Sequence, residues 1–276
     1  MRNLGAVRLR HALALFAAAG LVGVGAARPA EAPPVTLRIV FPEGFSARQM
    51  ADRVSEVRKI AIRTRGVTPR LTGVAYRDAA ARTRAPAAFR RYLKQRSVEG
   101  FLFPALYEFT QYTRASELLA QQLGAFEARW RSVDLRGARA RGRTPYDVLI
   151  IASMIERETV VPSERRLVSA VIYNRLKAGM PLAIDAALRY GLGIPGTRPL
   201  TKRQLATRTP YNTRLFRGLP PTPIGNPGVP SMRAAARPAP RNYLYYVRKP
   251  RSVRHFFTAD EEEFCRKVRE YGYGGC

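Results

Sequence analysis

Two histidines and two cysteines in 276 residues leave little from which to build a metal site. His11 and His255 lie far apart, and Cys265 and Cys276 form no CxxC pair and show no ligand spacing, so neither a metal nor another cofactor is expected. The two cysteines allow either a disulfide that pins the C-terminal tail in an oxidising compartment or two free thiols. Acidic residues are also scarce: 20 Asp and Glu stand against 48 Lys and Arg, a net charge of +28, and nearly all the excess is arginine. That excess runs through the whole chain, without a basic helix interleaved with aromatics and without a nucleic-acid motif, so no nucleic-acid partner is expected. The charge reads instead as arginine-rich solvated faces, with attraction to anionic headgroups or anionic wall polymers. Internal repeats are missing, and so is any long apolar run after residue 27.

What is present begins with an export pattern. Arg2, Arg8 and Arg10 precede an apolar and small-residue run from Ala12 to Ala27, closed by Arg28. Positive charge followed by an apolar stretch directs insertion with the N-terminus in the cytoplasm. The run is shorter than the ~20 residues that span a hydrocarbon core. Gly25, Ala27, Ala30 and Ala32 would suit cleavage, so cleaved signal and retained anchor both stand. The remaining length suits one large domain or two modest ones, and a hydrophobic fraction of 46% supports a core.

Ala26 to Pro34 reads as an Ala/Pro linker, and Val35 to Phe41 alternates as a strand. Pro42-Glu43-Gly44 is a turn, and Ser46 caps a helix reaching Val57 with Met50, Val54 and Val57 on one face. Strand, turn and helix of this size suggest a small α/β module. The Arg-rich stretch 66–88 carries no clear pattern, and a short helix is expected over Pro86–Gln95. Glu99 to Phe109, with Phe101, Phe103, Tyr107 and Phe109, reads as strand core or groove wall. Ser116 to Arg131 is helical by the spacing of Leu119, Leu123, Phe126 and Trp130, and a basic loop (136–143) follows.

The next segment carries the chemistry. Thr144-Pro-Tyr-Asp147 is a helix start with a capping residue, a first-position proline and an acid three residues after the cap. Val148 to Ile155 is apolar except for Ser153, which marks a buried helix. It ends on Glu156 and Glu158, carboxylates where the macrodipole favours cations, and such a local conflict points to function. Two positions apart, they diverge by roughly 200° and cannot share a dyad. Glu156 falls on the face of Leu149, Ala152 and Ser153, where small residues leave room for substrate. Apolar surroundings disfavour a charged carboxyl, as a general acid requires. A buried ion pair with an arginine explains the same residue equally well. For Glu158 the expectation is an ion pair with Arg157, Arg165 or Arg166. A second helix is expected from Ser163 as its cap to Gly179, with Asn174 and Arg175 near its end as ligands or caps.

In their order, Ile151-Ala-Ser-Met-Ile-Glu-Arg-Glu-Thr159, Ser163-Glu-Arg165 and Val171-Ile-Tyr-Asn-Arg-Leu176 resemble the core of the MltG (YceG-like) endolytic murein transglycosylases. Further blocks extend the resemblance: Gly179 to Asp185, Tyr190 to Gly193, Pro210 to Thr213, Gly218 to Gly228, Tyr243 to Tyr245 and His255 to Phe257. Upstream, Glu99 to Pro104 and the Pro42-Glu-Gly44 turn match as well. Together they cover nearly the whole chain after residue 34.

The resemblance implies an α+β architecture: an N-terminal signal or anchor helix with linker (1–34), a small LysM-like module (35–110) and a mixed α+β catalytic domain (111–276) holding a buried catalytic helix. It implies endolytic cleavage of the β-1,4 bond between MurNAc and GlcNAc in nascent peptidoglycan, which ends or trims glycan polymerisation. The MurNAc C6 hydroxyl replaces water and leaves a 1,6-anhydro end, so one carboxylate suffices, unlike the paired carboxylates of hydrolases. The family's catalytic glutamate is matched here to Glu156. Asp185, Tyr190, Tyr211, Asn212, Thr213, Asn226, Asn174 and His255 are the expected substrate contacts. Each also has a structural reading, Asp185 as the cap of a helix beginning at Ala186, for example. The implied partners are glycan strands, the membrane through the single N-terminal segment, and wall-synthesis glycan polymerases, with the catalytic part outside the cytoplasm. Two departures stand out: Ala183-Ile-Asp185-Ala186 where the family usually has Gln-Thr-Asp-Pro, and Phe264 where a histidine is usual. A wall-binding protein that has lost activity is the alternative.

Overall fold

The structure, a computed structural model, describes residues 32–274. The expected signal or anchor segment lies outside them. Among the described residues no helix is long and apolar enough to cross a membrane. Mixed α+β architecture is what the chain adopts, mostly helical, with two small antiparallel sheets.

Strand β1 (Leu37–Val40) pairs with β2 (Leu106–Phe109), Leu37 opposite Phe109 and Val40 opposite Leu106. Alternate residues of both strands turn inward onto one core. Between them lie helices α1 (Ala47–Arg65) and α2 (Gly73–Arg82). Ser46 caps α1 through a reciprocal bond with Gln49, and Gly66 ends it in the left-handed conformation at φ 64°. Helix α2 fills part of the stretch without a clear sequence pattern. Its first residue must be glycine, because a Cβ there would lie 2.4 Å from the backbone carbonyl oxygen of Ala51 on α1. The helix expected at Pro86–Gln95 is a 3-10 turn, Ala87–Tyr92.

Helix α3 (Ala115–Trp130) serves two cores. Leu118 and Leu119 join Ile39, Met50 and Tyr76 in the first, while Phe126 packs edge-on to Phe101 (5.1 Å) in the second. The first core therefore draws on residues beyond 110. The expected basic loop opens with one helical turn, α4 (Arg136–Arg139). Helix α5 (Pro145–Glu158) starts as the sequence indicates: Thr144 and Asp147 cap each other and Pro145 takes the first turn. Every residue from Val148 to Ile155 is buried. Helix α6 (Arg165–Lys177) begins after a 3-10 turn, Pro162–Glu164, so Ser163 is not its cap. Two short helices follow, α7 (Asp185–Leu192) and α8 (Lys202–Leu205). Asp185 is the first residue of α7 rather than its cap, and Ile184 takes the cap position without a side-chain bond. Helix α9 (Val229–Ala236) packs along α5. A hairpin of β3 (Tyr245–Arg248) and β4 (His255–Thr258) and a last helix, α10 (Glu261–Glu270), close the described chain. Cys265 on α10 is disulfide-bonded, and Cys276 lies outside the described residues.

Candidate active site at the end of the buried helix

The apolar run of α5 fixes the helix in the core and delivers Glu156 and Glu158 to its C-terminal edge, one on each side. For Glu156 the ion-pair alternative is what the structure holds, whereas the ion pair expected of Glu158 is not formed among the described residues. Glu156 is the ion-paired carboxylate: Arg165 Nη2 approaches Oε1 at 3.7 Å, and the backbone N–H of Gly228 donates to Oε2 at 2.9 Å. Arg165 also donates to Ser231 Oγ at 3.2 Å, which fixes the guanidinium. A second carboxylate shares this corner. Glu43, from the Pro-Glu-Gly turn, packs on Gly228 so closely that a Cβ there would lie 1.7 Å from its Oε1. Burial and then the charge of Glu156 push the Glu43 carboxyl up, and Arg165 pulls it back in part.

Glu158 makes no ion pair among the described residues. It accepts one hydrogen bond, from the Tyr246 hydroxyl at 2.7 Å. Burial pushes its carboxyl up, and the negative charge of Asp185 adds to that; Tyr246, His255 and Arg157 oppose it. The hairpin arranges this surround. Tyr246 pairs with Phe257 across the strands, so His255 lies on the same face as Tyr246, and the two rings meet edge-on at 5.5 Å. His255 is held by Glu164, whose carboxylate accepts from the backbone N–H at 3.0 Å and contacts Nδ1 at 2.7 Å. Asn174 and Arg175 on α6 anchor the approach to β3: Asn174 donates to the carbonyls of Arg241 and Tyr243, and Arg175 to that of Leu244.

The remaining expected contacts divide into exposed and internal groups. Asp185 is two-fifths exposed and pairs with Arg214 at 2.7 Å. Half-buried Tyr190 and Tyr211 meet edge-on at 5.2 Å and line one cavity. Their hydroxyls bind Glu99 (3.1 Å) and Thr222 (2.8 Å). Asn212 is fully buried, its amide spent on the carbonyls of Leu205 and Thr207. Thr213, also buried, bonds both the N–H and the carbonyl of Ile184. Asn226 is fully buried too and works as an internal clamp. Its carbonyl oxygen accepts from Leu102 N, and its amide donates to Phe45 O and Glu99 Oε1. Through it the Pro-Glu-Gly turn is locked to the loop before α9, where Gly225 lies against Gly44 O.

Sequence reasoning missed Glu43, Tyr246 and Glu164 as parts of this arrangement, because only the fold brings their elements to the end of α5. The two departures are also placed. Ala183 takes a left-handed φ of 54° two residues before Asp185, and Phe264 stacks on Tyr245 at 5.1 Å. No cluster of three metal-ligating side chains occurs among the described residues.

Comparisons with known proteins agree with this architecture. A Streptococcus pneumoniae protein named endolytic murein transglycosylase is 26% identical over 255 residues, covering 86% of this chain and 45% of that protein. A Bacillus subtilis protein of the same name is 34% identical over 156 residues, covering 55% of this chain and 42% of the relative. The chain thus spans less than half the length of these curated relatives. A crystal structure of a yceG-like protein from Listeria monocytogenes superposes with a TM-score of 0.68 at 26% identity, covering 82% of this chain and 74% of that one. The sequence pattern of the YceG-like family runs from residue 22 to residue 270, and this chain belongs to that family.

Proposed function

We propose that the chain cleaves murein glycan strands internally as a lytic transglycosylase, with Glu158, rather than the expected Glu156, as proton donor. The carrying observation is the environment of Glu158: burial favours its protonated form, no cation pairs with it among the described residues, and the Tyr246 hydroxyl donates to it and can stabilise the carboxylate once the proton has left. Glu156, committed to Arg165 and Gly228 N–H, is instead suited to holding the loop before α9. The names of the curated relatives support the substrate class.

In this reading Glu158 protonates the glycosidic oxygen between MurNAc and GlcNAc as the bond to C1 breaks. The MurNAc C6 hydroxyl closes on C1 and gives its proton back to the carboxylate. No water is consumed, and the product carries a 1,6-anhydro end. Tyr246 stabilises the carboxylate between the two transfers, when its hydrogen bond is charge-assisted and strongest. Such cuts in nascent strands would end or trim glycan polymerisation.

The wider setting belongs to the same proposal. Residues 35–110 would act as a LysM-like module beside a catalytic part at 111–276, and wall-synthesis polymerases would be partners. An extracytoplasmic place, tethered by residues 12–27 or released after cleavage, is supported by the arginines before that run and by the disulfide of Cys265. Incubating the purified chain with uncrosslinked glycan strands tests the reading. Ends one water lighter than a hydrolysis product are expected; reducing ends alone, or intact strands, would reject it.

A further inference from the structure

Two adjoining cavities of 420 and 260 Å³ share Ser46, Arg48 and Tyr190 and form one trough between α1, α2 and α7. The first is lined by Arg48, Arg77 and Arg96, with Tyr190 and Tyr211 on one wall; the second by Arg48, Arg157 and Arg189. Asp52 and Glu99 are the acids among the lining residues. None of the five arginines forms an ion pair among the described residues. Three are held by neutral acceptors instead. Arg157 donates to Gly44 O at 2.9 Å, Arg96 to Arg82 O at 2.7 Å and Arg189 to Pro195 O at 3.2 Å.

These bonds hold the three guanidinium groups in place without cancelling their charge. Arg157 is the costly member, because burial disfavours its charged form; the charges of Glu99 and Glu158 offset this in part, and that of Arg189 adds to it. An arriving anion would relieve that cost, and guanidinium groups are well shaped for carboxylates. Arg77 and Arg96 line one end of the trough, Arg157 and Arg189 the other and Arg48 both, so the positive charge extends over two adjoining cavities. This suits an extended chain with separated carboxylates better than a compact phosphate. Arg157 feels the charge of Glu158, so the trough lies within electrostatic reach of the proposed proton donor, although Glu158 lines neither cavity.

We propose that this trough is a subsite for the peptide branch of the glycan strand, gripping its carboxylates through Arg48, Arg157 and Arg189. The inference rests on the murein-cleaving reading and names the part of the substrate that the trough selects. Its test uses the purified chain and an Arg48→Gln/Arg189→Gln double variant, which leaves the core untouched. Titration calorimetry at constant ionic strength with a soluble muramyl pentapeptide is expected to show binding weakened about tenfold or more in the variant, the factor a charge-assisted hydrogen bond supplies. Equal binding by both proteins overturns the proposal. So does displacement of the peptide by equimolar inorganic phosphate, which would make a compact oxyanion the ligand. Cleavage gives the second arm, as the ratio of kcat/KM on peptide-bearing strands to that on amidase-stripped strands. That ratio is expected to exceed one in wild type and to fall toward one in the variant through KM. A wild-type ratio of one, with both strands cleaved, rejects the subsite alone, whereas cleavage of neither rejects the enzymatic reading with it.

Discussion

Replacing Glu99 with glutamine is expected to remove a pH-dependent weakness built into the junction between α1, α7 and the loop before α9. Glu99 is fully buried and accepts from Ala47 N at 3.1 Å, Tyr190 OH at 3.1 Å and Asn226 Nδ2 at 2.9 Å. Burial pushes its carboxyl from an ordinary 4.5 up to about 7, against those three bonds and the charge of Arg157. Because the folded value is raised, the native state holds the proton between 4.5 and 7 while the unfolded chain has released it. The native state then binds more protons, so stability falls as pH rises through that window and levels off above it. From pH 5 to pH 8 this single group costs about 2 to 3 kcal/mol. Burial raises Glu158 and Glu43 as well, and both tilt stability the same way, so the total slope does not isolate Glu99. The comparison with Glu99→Gln does. Urea unfolding at pH 5 and pH 8 is expected to show a loss in wild type that exceeds the loss in the variant by about 2 to 3 kcal/mol. Equal losses in the two proteins would refute the account of this carboxyl.

Asn226→Ala strips the clamp and leaves Leu102 N and a Glu99 oxygen without their partner. A loss of about 2 to 4 kcal/mol in denaturant unfolding is expected, and a loss below about 0.5 kcal/mol would mean that the clamp is idle. Tyr246→Phe removes the one hydrogen bond to Glu158, which favours the charged form, so Glu158 keeps its proton to higher pH. The alkaline limb of the kcat/KM profile on glycan strands then moves upward; movement downward, or none, contradicts the assigned role of Tyr246.

Local chemistry made some elements legible from sequence. The mutual cap of Thr144 and Asp147, the first-turn proline and an unbroken apolar run define α5 within a residue. The first helix, α1, was recognisable from Ser46 but runs on to Arg65, because its last two turns carry mainly charged and exposed residues that hide the period. Helix α2 was not legible: among its ten residues only Gly73, Tyr76 and Ala80 are buried, too few to mark a face. The site was legible in position and not in detail. Periodicity shows that Glu156 and Glu158 face apart, yet it cannot say what other elements bring to either face. Arg165 returns to Glu156 through the 3-10 turn at 162–164, and Tyr246 reaches Glu158 from a hairpin 88 residues away. Asn212, Thr213 and Asn226 look like sugar ligands in a linear motif, and in three dimensions their polar groups satisfy buried backbone. Short polar side chains in turn-rich loops serve either use, and sequence alone does not distinguish them.

The choice of proton donor carries the account, and one paired measurement addresses it. Glu158→Gln and Glu156→Gln are each assayed for release of 1,6-anhydro ends from uncrosslinked glycan strands, with unfolding curves recorded beside them. Glu158→Gln is expected to fold as wild type and to lose on the order of a hundred- to ten-thousandfold in rate. Glu156→Gln is expected to lose stability, because Arg165 is left without its carboxylate, and to retain cleavage in the fraction that folds. Wild-type rates from Glu158→Gln together with a folded but inactive Glu156→Gln would contradict the assignment.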